Sequence, residues 1–97
     1  MIDYDKKVEY LYNKQSGRCA SCGRHLVVSD KKELAHKIKA SKYNYKTFGE
    51  KVIDHRFNLA LTHSGKCNDM VNMSRAAHPV ETEALIFKIR EDIIINT

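Results

Sequence analysis

The sequence predicts a single α+β domain: a hairpin of short strands and a helix after it, set between one helix near each end of the chain. Three observations lead there. Residues 3–16 and 79–95 carry apolar side chains at three-to-four spacing, as helices with one buried face do. Between them the apolar stretches are short and bounded by Gly, Ser, Asp and Asn, which suits strands and turns. At 97 residues the chain makes one domain, residues 1–97, with a modest core that a bound metal would usefully reinforce.

The first helix, residues 3–16, begins with Asp3 and Asp5 near its positive end. Tyr4, Val8, Leu11, Tyr12 and Gln15 share one side, Lys6, Lys7 and Lys14 stay outside, and Gly17 is a natural stop. "CASCGRHLVV" follows as a tight knuckle with Gly23 just past Cys22, leading into a short strand near residues 25–28. "SDKK" is the turn and "ELAHKI", 33–38, the returning strand. Residues 39–57 are expected as a long basic connection with Tyr43, Tyr45 and Phe48 interleaved, to stack on bases or to pack the loop down. "NLALT" is a short apolar stretch, and "CNDMVNM" a short helix burying Met70, Val71 and Met73. The last helix, 79–95, opens with Pro79, Glu81 and Glu83. Its stripe of Leu85, Ile86, Ile89 and Ile93 is expected to pack on the first helix.

The formal charge is +5, and all of the excess lies between Lys31 and Arg56, where eight Lys and Arg stand against three acids. Concentrated positive charge of this kind suits a polyphosphate partner, and a solvated lysine-rich loop is the plain alternative. No apolar run is long enough for a secretion signal or a membrane span, so a cytoplasmic protein without a membrane partner is expected. Three cysteines cannot all pair as disulfides, which makes them metal ligands or buried thiols.

Cys19 and Cys22 have the two-residue gap that lets one turn present two thiolates to a tetrahedral ion. His63 and Cys67, four apart at the start of a short helix, supply the other two ligands. Soft thiolates with an imidazole select zinc over magnesium or calcium, and four protein ligands make the site structural rather than catalytic.

Taken in chain order, "LYNKQSGRCASCGRHL", "ELAHKI", "YKTFGEKVIDHRFNLALTHSGKCND" and "VNM" make the chain resemble the HNH endonucleases, above all small phage and bacterial ones, from about Tyr10 to Met73. The resemblance implies a ββα-metal core of hairpin plus helix, braced by the structural zinc. It implies hydrolysis of DNA phosphodiester bonds to a 5′ phosphate and a 3′ hydroxyl in a prokaryotic or phage-infected cell. His36 falls on the general base that takes a proton from the attacking water, a role that suits a neutral imidazole. Asn58 falls on the asparagine that holds the hairpin backbone and so orients the base. Asn68 falls on a ligand to a catalytic Mg or Mn, and Asn72, one helical turn on, is a second candidate ligand.

Many family members carry aspartate directly before the first histidine, and Ala35 stands here. The second catalytic-metal ligand is therefore open between Glu33, Asn72 and Asp69. Asp54 and His55 are expected to support the site or touch DNA at most. Lys37, Lys39, Lys42, Lys46, Lys51 and Arg56 are expected to contact backbone phosphates. With no added recognition domain, specificity is expected to be low or to come from a second copy or a partner protein. The rival expectations are a zinc-stabilised nucleic-acid-binding module of the same fold that has lost catalysis, and a zinc-ribbon-like protein-interaction domain.

Overall fold

The computed structural model describes residues 4–27, 31–72 and 78–96. In chain order the elements are α1 (Tyr4–Lys14), β1 (Lys32–His36), α2 (Lys42–Phe48), α3 (Glu50–Ile53), a 3-10 turn (Arg56–Asn58), β2 (Leu59–His63), α4 (Lys66–Asp69) and α5 (Pro79–Ile95). Asp3 and Met73, the end of the 25–28 segment at Val28, and the turn residues Ser29 and Asp30 lie outside the described residues.

The sheet is built from other strands than the sequence led us to expect. β1 pairs antiparallel with β2, with Leu34 opposite Leu61, Ala35 opposite Ala60 and His36 opposite Leu59. The 25–27 stretch is not its partner: His25 makes only an isolated bridge to Arg18, closing the knuckle on itself. Burial explains the choice. Leu59 and Leu61 are buried with Leu11, Cys19 and Leu26, and Leu34 packs against that cluster. Pairing β1 with β2 thus puts three leucines on one buried side, whereas His25 and Val27 are exposed.

The free edge of β2 is capped from the knuckle side. Gln15 accepts the Leu61 N–H through Oε1 at 2.9 Å and donates Nε2 to the Leu61 carbonyl at 2.9 Å. The Ala20 N–H also reaches that carbonyl, at 3.1 Å. The turn into the knuckle needs Gly17. Its φ is +71°, and a Cβ there would stand 3.0 Å from the Tyr12 hydroxyl.

Residues 39–57 fold rather than loop. Ser41 caps α2 by accepting the Asn44 N–H at 3.1 Å, and Tyr45 and Phe48 pack against a second core of Ile38, Val52, Ile53, Ile86 and Ile89. Tyr45 and Phe48 of α2 and Val52 of α3 thus face one core, and packing, not base stacking, uses the two aromatics. Tyr43 remains exposed.

α5 has the bounds expected, and Ile86, Ile89, Leu85 and Ile93 are its packing side. Its main partners are α3 and the 3-10 turn rather than α1, because Ile38, Val52 and Ile53 offer the apolar surface that its stripe covers. Asp92 reinforces that docking, taking the Nε2–H of His55 at 2.8 Å and Arg56 Nη2 at 3.1 Å. No described helix is long and apolar enough to cross a membrane.

Candidate functional site

Cys19, Cys22, His63 and Cys67 come together although 41 residues separate Cys22 from His63. The knuckle carries the first pair, the end of β2 carries His63, and the first turn of α4 carries Cys67. The four donor atoms all lie within 4.8 Å of one another. The Cys22 Sγ to His63 Nδ1 separation is 3.5 Å. A tetrahedral zinc with bonds of about 2.3 Å to sulfur and about 2.0 Å to nitrogen sets that edge at roughly 3.5 Å. The cluster of three cysteines and one histidine can therefore hold a metal such as zinc. The Ser21 hydroxyl donates to the Cys67 carbonyl at 2.5 Å, tying α4 to the knuckle independently of any ion.

The electrostatics of the cluster favour thiolate at the knuckle and thiol at Cys67. Burial works against ionisation of Cys19, but hydrogen bonds from the backbone of Cys22, His63 and Ser21 outweigh it and bring the thiol down to about 6. Arg24, through its backbone and its guanidinium, lowers Cys22 as well. Burial and the adjacent Cys19 and Cys22 sulfurs push Cys67 up to about 11. Three thiolates cannot share so small a volume unless a dication neutralises them.

The second constellation lies beside α4. An open cleft of about 490 Å³ is walled by His36, Lys39, Asn68, Asp69 and Asn72, with Leu34 and Ala40 at its margin. The structure thus brings together His36, Asn68 and Asn72. The Cys/His cluster and the cleft meet at consecutive residues, Cys67 and Asn68. Asn68 donates its Nδ2 to the Glu33 carboxylate, which leaves its amide oxygen for another partner. Ala35 is buried opposite Ala60 and offers no donor.

His36 Nε2 lies 3.0 Å from Asp54 Oδ1, with the two side chains only 17% and 12% exposed. A carboxylate accepts the Nε2–H and so fixes the tautomer that leaves Nδ1 as the basic nitrogen. Tyr45 donates its hydroxyl to the same oxygen at 2.6 Å. Burial, then the Asp54 hydrogen bond and charge, raise the Tyr45 phenol to about 12, so it stays a donor. Lys7 Nζ reaches the Asp54 carbonyl at 2.5 Å. Asp54 was expected at most to support the site or touch DNA, and it supports His36 through a contact that spans 18 residues and that no local spacing announces.

Asn58 does not face the cleft. It is fully buried, accepts the Ile38 N–H at 2.8 Å, and donates to the carbonyls of Ile38 at 3.1 Å and Ile53 at 2.7 Å. It pins the chain two residues beyond His36 to the end of α3. Its geometry is that of a strut.

The basic residues do not form one surface. Lys39 lines the cleft, and Lys42, Lys46 and Lys51 are exposed on α2 and α3. Arg56 is engaged with Asp92 and with the rings of Tyr10 and Phe57, and Lys37 is half-buried near Lys14 and Lys88. Neither is the free loop cation that a basic connection implied, because Arg56 sits in the 3-10 turn against Asp92 of α5 and Tyr10 of α1, and Lys37 directly follows β1.

Comparison of the chain with family models, with curated proteins and with solved structures finds no match in any of the three.

Proposed function

We propose that this chain is a small zinc-braced nuclease of the HNH type, hydrolysing DNA phosphodiester bonds with His36 as general base. The observation that carries the reading is the shared cleft: a histidine whose Nε2 is held by Asp54 stands across from Asn68, Asp69 and Asn72. In this reading His36 Nδ1 takes a proton from water as the water oxygen bonds to phosphorus and the bond to the 3′ oxygen breaks. Asp54 is a positioning residue that holds the imidazole and balances the imidazolium that forms. Asn58 keeps the backbone after His36 in register, and Lys39 neutralises phosphate charge at the rim.

Asn68 and Asn72 amide oxygens and the Asp69 carboxylate are hard donors that suit a divalent Mg or Mn, with Glu33 anchoring Asn68. Such an ion, when bound, supplies charge stabilisation at the scissile phosphate and the leaving oxygen.

The buried, donor-free Ala35 favours a second reading, a nucleic-acid-binding module of the same architecture without catalysis. Plasmid nicking with Mg, Mn or no added ion separates the two. Wild type should nick with at least one ion, and His36→Ala should lose about a hundredfold or more in rate. Plasmid left intact under every ion, or equal cutting by His36→Ala, defeats the enzyme reading.

A further inference from the structure

Four cations from four parts of the chain gather around Phe57. Lys14 Nζ of α1 and Lys88 Nζ of α5 each lie 5.4 Å from the ring centroid, and Arg56 Cζ lies 5.1 Å from it. Lys37, directly after β1, lines a hollow of about 260 Å³ together with Lys14, Arg56 and Phe57. Burial, and then the Lys14 and Lys88 charges, pull the Lys37 ammonium below its ordinary pKa, which places all three within electrostatic reach. Among the described residues, one carboxylate answers these four charges: Asp92, which Arg56 shares with His55. Among the described residues, Lys14, Lys37 and Lys88 have no carboxylate partner. The Arg56 Nε–H is buried without an acceptor.

Like charges lining one small hollow repel unless an anion joins them. A tetrahedral oxyanion in the hollow meets that need, accepting from the ammonium groups and from the exposed part of the Arg56 guanidinium at once. We infer that Lys14, Lys37 and Arg56, with Lys88 adding charge beside the Phe57 ring, form a phosphate site that holds a backbone phosphate of nucleic acid. The site is distinct from the His36 cleft. Lys37 follows His36, strand alternation turns the two side chains to opposite sides, and they line different hollows. A strand engaged at both places is gripped on two sides of β1. The choice of nucleic acid rests on the nuclease reading; the oxyanion chemistry does not.

The test uses zinc-loaded protein without added Mg or Mn, so that cleavage plays no part. Anisotropy of a short labelled duplex is followed against salt for wild type, Lys14→Gln, Lys88→Gln and the double variant. Lys14 and Lys88 are both exposed, so the folded state should survive. The double variant should bind about tenfold more weakly at low salt, with the log–log salt slope reduced by about 1, and each single variant should fall between. In parallel, the Arg56 Nε–H and Phe57 ring resonances should shift when the duplex is added. Unchanged affinity and slope in the double variant, or silent Arg56 and Phe57 resonances, overturns the site. If inorganic phosphate shifts those resonances and duplex does not, the ligand is free phosphate and the nucleic-acid assignment is overturned. Binding of duplex here with plasmid never cut sinks the nuclease reading alone.

Discussion

Replacing Asn58 should damage the fold more than any other single polar change away from the cysteines. The side chain has 0% exposure and satisfies three backbone groups at once: the Ile38 N–H, the Ile38 carbonyl and the Ile53 carbonyl. Asn58→Ala orphans all three, at about 1–3 kcal/mol for each buried group, and leaves a small void. The expected loss is about 3–6 kcal/mol after some water entry, against a total stability of roughly 5–10 kcal/mol for a domain of this size. Asn58→Asp keeps the shape and still accepts the Ile38 N–H, but it turns a carboxylate toward two carbonyl oxygens. At pH 7 it should therefore be at least as harmful as alanine. Burial and the facing carbonyls raise the folded pKa of the introduced acid above its unfolded value of about 3.9, so its penalty grows as pH rises past that value and shrinks in acid. Urea unfolding of zinc-loaded protein, with the m-value compared between variants, measures each loss. An Asn58→Ala cost under about 1 kcal/mol, or wild-type stability for Asn58→Asp at pH 7, refutes the strut.

Removing the metal with a chelator, or Cys67→Ser, should abolish binding of about one zinc per chain and lose most of the tertiary structure, read by elemental analysis and amide dispersion. A fully folded zinc-free protein contradicts this. Asp54→Asn should lower kcat by about 10²–10³ with little change in KM and leave His36 in a mixture of tautomers by long-range nitrogen NMR; an unchanged tautomer removes the positioning role. Burial, partly opposed by Asp92, depresses the His55 pKa below its ordinary 6.5. The unfolded chain then takes up that proton first as pH falls, so stability should drop below about pH 6.5. His55→Gln should show a shallower dependence of the melting temperature on pH over that range, and equal slopes argue against it.

The local signals were legible. Three-to-four apolar spacing marked both terminal helices, and Pro79 placed the start of α5. The two cysteine-containing pairs named four ligands whose spacings are only two and three intervening residues, so each half is a property of one short stretch. Ser41 with Tyr45 and Phe48 was also present as a helix signal, masked by the density of lysines around it.

What the chain order alone could not decide was which segments meet. β1 was expected to pair with the 25–28 segment, and the side of the sheet that buries Leu34, Leu59 and Leu61 selected the distant β2 instead. Asp54 reaches His36 only because α3 brings it back across the end of β1. Lys14 and Lys88 stand 74 positions apart and both reach the Phe57 ring only because α1 and α5 both border the 3-10 turn that carries Arg56 and Phe57. By itself the sequence determined the terminal helices and the four residues of the Cys/His cluster, because helix periodicity and knuckle spacing act over a few residues. The strand pairing, the histidine's carboxylate and the cation cluster were decided by the tertiary structure, because they depend on which apolar surfaces bury one another across long stretches of chain.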